Sequence, residues 1–285
     1  MTMPKSILFP VDFSDRSSAV WPAVAAMAQQ LRVPVTLFHV VNVGTPHAAA
    51  VLSSHLASIC TQDRKRLEQF PTPGLEGLTS SCDVVQGPPA QCIVEQAAEM
   101  TAPLIMLPTR GHTRFRQLLL GSVTSAVLHD APGPVWTEAH SENGWAHAAG
   151  VRRSMVCAVD LGPRTPALLE AAAAFSQKFG VPLHVVHSVP GIDPRFPSAL
   201  ANRAHALLVE AARDVFPDYC REAGVSFPLE IAQDCGLTDG IVNAVVRHDA
   251  DLLLIGRGVI QGPLGRLRTN AHELIRRSPC PVLSI

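Results

Sequence analysis

Two features of this chain have the residue types to grip a charged ligand. Pro108-Thr109-Arg110-Gly111 is followed, after nine residues, by Gly121-Ser122-Val123. A phosphate is held by bare backbone N–H groups and by the positive end of a helix. Gly121 and Ser122 stand where a helix begins, and the Ser122 hydroxyl adds a donor. Arg110, Arg114 and Arg116 bring positive charge to the same stretch. The plainer alternative is a glycine that starts a helix and arginines on a solvated loop. The second feature is Asp12, with Asp160 its distant counterpart. A carboxylate after a strand can accept from an adenine amino group or a ribose hydroxyl, or hold a metal ion. It can equally be an acid that favours the dipole of the helix after it.

These residues need elements to hold them, and the chain supplies one set twice. At an offset of 148, Ile7-Leu8-Phe9-Pro10-Val11-Asp12 lies over Met155-Val156-Cys157-Ala158-Val159-Asp160. Val35-Thr36-Leu37-Phe38-His39 lies over Leu183-His184-Val185-Val186-His187. The offset falls to 147 where Pro132-Gly133-Pro134-Val135 lies over Pro279-Cys280-Pro281-Val282. The second copy has lost one residue, in the turn where Gly256-Arg257-Gly258 faces Pro108-Thr109-Arg110-Gly111. Such long-period repetition marks a duplicated domain, and 285 residues suit two domains. Thr137 to Arg153 is polar and rich in Ala and His. The expected division is therefore domain one over 1–140, a linker over 141–153, and domain two over 154–285.

Within the first copy, Ser6–Val11 reads as a strand, with Ser14 capping a helix that recurs through Val20, Val24, Met27 and Leu31. Strands follow at Pro34–Val41, Ser81–Gln86, Leu104–Leu107 and Val135–Thr137. Helices are expected around Val51–Phe70, through Ile93, Ala97 and Met100, and over Ser122–His129. Alternating helices and continuous apolar strands imply a parallel sheet covered on both faces. The predicted fold is α/β: two tandem doubly wound domains, each a five-stranded parallel sheet. Such sheets bind ligands at the carboxyl ends of strands, where the strand order reverses.

Composition excludes several function classes. Lys plus Arg total 23 against 24 Asp plus Glu, a net charge of −1 that gives no general pull towards nucleic acid or anionic membranes. Aromatics are 5% with one tyrosine, too few for base-stacking platforms. No apolar run approaches the roughly 18 residues of a membrane helix. The seven cysteines are widely spaced with no C-x-x-C, which reads as reduced core thiols in a cytoplasmic protein. Cys280 reads as a small buried residue, and Cys157 as a candidate thiol sensor. His39 and His187 read as packed strand residues. No Ser-His-Asp order, G-x-S-x-G or H-E-x-x-H occurs.

Pro10-Val11-Asp12-Phe13-Ser14, Leu37-Phe38-His39-Val40, the stretch Gly111 to Val123 and Ala131-Pro132-Gly133-Pro134-Val135 together resemble the universal stress proteins, as a tandem-type member over nearly the whole chain. The resemblance implies a Rossmann-like fold of the adenine nucleotide α-hydrolase type. It also implies ATP binding through Gly-x2-Gly-x9-Gly-Ser/Thr, with Mg²⁺ on the phosphates. Carried over to this chain, Asp12 and Val40 contact adenosine, while Gly111, Gly121, Ser122 and Val123 hold phosphates beside Arg110. The first glycine of that pattern is here Pro108, which has no N–H to offer. In the second copy Arg268 and Thr269 replace the glycine and serine, and His187-Ser188 replaces His39-Val40. An arginine there intrudes where backbone must approach phosphate, so copy two is expected to have lost ordinary ATP binding.

Three functions follow. The first is an adenine-nucleotide-binding regulator of stress response or signalling, acting by conformation and partner choice, with slow hydrolysis at most. The second is a stress scaffold that binds no nucleotide and acts through protein–protein contacts. The third, an enzyme of the α-hydrolase-like superfamily, needs a further constellation that the sequence lacks. The resemblance also implies pairing of terminal strands, here copy one against copy two as an intramolecular pseudo-dimer, with a homodimer of two chains as an open extension.

Overall fold

The computed structural model describes residues 3–44, 46–109, 120–138, 151, 153–189, 198–233, 236–257 and 266–285, without the side chains of 46–54, 198 and 266–269. The chain divides into two compact units, Pro4–Gly150 and Val151–Ile285. In the N-terminal unit the elements run β1 (Ser6–Pro10), α1 (Asp15–Leu31), β2 (Val35–Val41), α2 (Pro46–Glu68), β3 (Ser80–Gln86), α3 (Pro89–Glu99), β4 (Pro103–Pro108), α4 (Ser122–Asp130) and β5 (Val135–Glu138). The strands lie in the order β3-β2-β1-β4-β5, all parallel.

The C-terminal unit repeats the plan with β6 (Met155–Ala158), α5 (Thr165–Phe179), β7 (Leu183–Ser188), α6 (Ser198–Glu222), β8 (Leu229–Ala232), α7 (Leu237–Arg247), β9 (Leu252–Ile255), α8 (Arg266–Arg277) and β10 (Val282–Ser284). Its parallel order is β8-β7-β6-β9-β10. The tandem doubly wound fold expected from the sequence is the one observed.

Apolar runs build the sheets because both faces are covered. Ile7, Leu8 and Phe9 of β1 and Leu104, Ile105 and Met106 of β4 are fully buried. Ser14 caps α1 by accepting from the Ser17 amide, and Val20, Val24, Met27 and Leu31 form the buried face, as their spacing predicts. Phe9, Trp21 and Phe70 meet as a three-ring cluster with centroids 5.8–6.2 Å apart. Some boundaries differ from expectation. α2 begins at Pro46 rather than near Val51, since proline suits a first helical turn. β5 extends one residue further, to Glu138. Val151 is buried, and Arg153 binds the Asp251 carboxylate through both its amide and its guanidinium. The C-terminal unit therefore starts within the stretch that reads as a linker.

The duplication is also written in the backbone. Phe13 and Leu161, each just after the first strand of its unit, take positive φ values of 59° and 55°. Arg32 and Gly180, each closing the first helix, do so at 59° and 68°.

Candidate functional site

In each unit the strand order reverses between the first and fourth strands, and their carboxyl ends face the crevice where such folds bind ligands. In the N-terminal unit Asp12 follows β1. Its Oδ1 accepts from the Ser14 amide at 3.0 Å, the Ser14 hydroxyl at 2.5 Å and the Ser17 hydroxyl at 2.6 Å. Those three donors fix the start of α1, so this oxygen serves the helix. Phe13 turns its ring onto His39, with centroids 4.4 Å apart, and Arg66 of α2 lies 4.1 Å above it. His39 Nδ1 is 2.7 Å from the Val11 carbonyl, and Nε2 is 3.5 Å from Asp63 Oδ2. Val40 is half-buried near the end of β2.

Beyond β4, Gly121 is the N-cap of α4, and Ser122 and Val123 are its first residues. From the sequence, the backbone N–H groups around residue 121 are expected to be open to an anion. For Gly121 itself this is corrected: its N–H donates to the carbonyl of the buried Thr109 at 2.9 Å. The amides of Ser122 and Val123 belong to the first turn, which has no acceptors within the helix. Thr124 Oγ1 donates to the Pro108 carbonyl at 3.0 Å and pins α4 to the end of β4. Arg110 and Gly111, with Arg114 and Arg116, lie outside the described residues.

One titratable group here is invisible to motif reasoning. Glu138 ends β5, in register with Pro108, and is buried. Burial pushes its carboxyl up to about 7. Only its odd position, a charge ending an apolar strand, could have flagged it.

In the C-terminal unit Asp160 follows β6 and is exposed. Its Oδ1 accepts from the Gly162 amide at 2.9 Å and from Thr165 Oγ1 at 3.3 Å. His187 Nδ1 is 2.8 Å from the Val159 carbonyl, repeating His39. Tyr219 of α6 donates its hydroxyl to the Leu161 carbonyl at 2.5 Å. Between the two helix layers lies a cavity of about 370 Å³, reaching from Ala158 at the end of β6 to Gly256 after β9. Arg257 follows; burial, with Arg164 nearby, lowers its guanidinium to about 10, which leaves it cationic at neutral pH. Gly258 and the Arg268 side chain lie outside the described residues.

Two buried thiols are unreactive by environment. Burial alone drives the Cys157 thiol far up, so the sensor role considered for it lacks a thiolate. Cys280, the small buried residue expected, is pushed up to about 12, chiefly by burial. Among the described residues no helix is long and apolar enough to cross a membrane. Nor does any group of three or more His, Cys, Asp or Glu side chains among them suit a metal ion.

Two stretches of the chain, residues 3–137 and 152–285, each match the Universal stress protein family. The chain belongs to that family. It is a tandem two-domain universal stress protein. A universal stress protein of Mycolicibacterium smegmatis is 26% identical over 208 residues, 66% of this chain and 67% of that one. Universal stress protein MJ0531 of Methanocaldococcus jannaschii is 29% identical over 137 residues, 46% of this chain and 79% of that one. Among solved structures, a universal stress protein from Archaeoglobus fulgidus superposes with a TM-score of 0.63 at 20% identity, covering 98% of this chain and 95% of that one. Protein PA1789 of Pseudomonas aeruginosa gives 0.66 at 18%, covering 99% and 92%. At these identities the likeness speaks for the fold. In this universal stress protein, the first-copy residues singled out from sequence gather at the carboxyl ends of β1, β2 and β4, as far as they are described.

Proposed function

We propose that this universal stress protein is an adenine-nucleotide-binding regulator of stress response or signalling, and that its N-terminal unit takes ATP. The observation that carries the reading is the start of α4: Ser122 and Val123 occupy its first two positions, next to the carboxyl end of β4. Backbone N–H groups there point along the helix axis without internal partners, and a helix of nine residues adds its dipole. Arg110 and Gly111 complete the phosphate end, with Mg²⁺ as counter-ion, and Asp12 and Val40 form the adenosine end. The fit is better for phosphate than for adenosine, because Asp12 Oδ1 already receives three donors. No described side chain in this set is placed as a general base for water, so binding acts through conformation and partner choice, with slow hydrolysis at most.

A second reading, a scaffold working through protein–protein contacts without nucleotide, is favoured by the same saturated Asp12 oxygen and by the engaged Gly121 amide. Isothermal titration of the full chain with Mg-ATP separates them. The nucleotide reading expects micromolar binding at one site, abolished in Gly121→Arg while the variant still melts cooperatively. Absence of both heat and thermal shift supports the scaffold.

A further inference from the structure

The cleft of the C-terminal unit is a formed pocket whose chemistry suits something other than phosphate. Its volume of about 370 Å³ falls within the range of small-molecule sites, roughly 300–1,000 Å³. Four helices wall it: Leu168 of α5, Leu208 of α6, Ile241 of α7 and Leu274 of α8. Val159, Val189 and Ile255 line it from the strand ends. Two contacts hold these walls in place. The Tyr219 hydroxyl ties α6 to the turn after β6. Gly240 of α7 packs so closely that a Cβ there would lie 2.9 Å from both Ser188 Oγ and Ala232 Cβ.

The described polar lining is Asp160, His187, Ser188 and Asn270, with Asp160 its one carboxylate. Asp160 is exposed, and its Oδ2 has no hydrogen-bond partner among the described residues. His187 Nδ1 faces the Val159 carbonyl, which only accepts, so Nδ1 carries a hydrogen and donates it there. Ser188 also lines the cavity, 5% exposed, with its Oγ close against Gly240. Among the described lining residues there is no Lys or Arg; Arg164 and Arg257 flank the strand end without lining the cavity. An anionic head would meet the Asp160 carboxylate. A donor-rich head on an apolar body is complementary.

We propose that this cleft binds a small non-phosphorylated amine, its ring-sized apolar body between the helices and its ammonium donating to Asp160. The pairing is a charge-assisted hydrogen bond in a largely apolar surround. The proposal is independent of nucleotide binding in the N-terminal unit.

The test titrates the full chain with three probes sharing one ring: tryptamine as cation, tryptophol as neutral analogue and indole-3-acetate as anion. Tryptamine is expected to bind one site per chain, with indole-3-acetate at least roughly ten-fold weaker. Asp160→Asn should weaken tryptamine about ten-fold and leave tryptophol unchanged. Ile241→Trp, which fills the cavity, should remove both. The ligand series on the unaltered chain reads out charge preference even if a variant folds poorly. The proposal is overturned by indole-3-acetate binding as tightly as tryptamine, by indifference to Asp160→Asn, or by no binding of any probe. Stoichiometric displacement of tryptamine by Mg-ATP would also overturn it, since the cleft would then be a nucleotide site. Failure of Mg-ATP to bind anywhere bears on the N-terminal reading alone.

Discussion

After β1, Asp12 Oδ1 receives the Ser14 amide, the Ser14 hydroxyl and the Ser17 hydroxyl within 3.0 Å. After β6, Asp160 Oδ1 receives the Gly162 amide at 2.9 Å and the Thr165 hydroxyl at 3.3 Å. Ser14 and Gly162 are equivalent positions, so the difference is one hydroxyl. The neighbours differ in parallel. Phe13 is packed between His39 and Arg66, whereas Leu161 offers its carbonyl to Tyr219 beside an open cavity. A carboxylate at the same place in the same fold thus receives three donors in one unit and two in the other. Donor supply differs where residue identity does not.

The largest contrast lies at the ends of the last strands. Glu138 is buried at the end of β5, and the corresponding residue after β10 is Ile285. Burial raises the Glu138 carboxyl from 4.5 to about 7. A raised acid binds more protons folded than unfolded, so stability falls as pH rises through that window and is flat above it. At about 1.4 kcal/mol per unit, the loss between pH 4.5 and 7 is on the order of 3 kcal/mol. Urea midpoints at pH 5 and pH 8 check this. Glu138→Gln should match the parent at pH 5 and exceed it at pH 8; identical pH dependence in both proteins would show that the carboxyl is ordinarily solvated.

The two aspartates supply the next effect. Asp12→Ala removes the acceptor for three donors, two of them hydroxyls, and should cost about 2 kcal/mol. Asp160→Ala removes one short and one long bond and should cost less than about 1 kcal/mol. Ser14→Gly, which copies position 162, should bring the cost of Asp12→Ala down towards that of Asp160→Ala. A double-mutant cycle by urea unfolding measures it, and equal costs for the two aspartates in the parent would erase the distinction between them.

Much of this fold was legible because apolar periodicity and the 148-residue offset are local, countable features. The Ser14 cap and the buried face of α1 follow from spacing alone. The sites were less legible, because their character depends on where donors come from. Nothing in the order Pro108 to Gly121 states that the Gly121 amide will turn back to Thr109. The second-copy cleft hides for another reason: an arginine in place of a glycine predicts the loss of phosphate binding, but cavity volume is set by the separation of four helices. His187-Ser188, which replaces His39-Val40, supplies part of the polar lining.

The smallest effect concerns the helix that follows each aspartate. α1 ends on Arg32 at φ 59°, ψ 55°, and α5 ends on Gly180 at φ 68°, ψ 33°. Both are left-handed caps, in which each residue's N–H donates to a carbonyl of the last turn. An arginine there carries a Cβ clash of roughly 1–2 kcal/mol. Glycine escapes the clash but loses more chain entropy on folding, about 0.5–1 kcal/mol. The clash is the larger of the two, so Arg32→Gly should raise stability by about 0.5 kcal/mol, and Gly180→Arg should lower it by a similar amount. Opposite shifts of the urea midpoint are the expected result. Shifts of the same sign would mean that the arginine side chain contributes packing that its backbone geometry does not reveal.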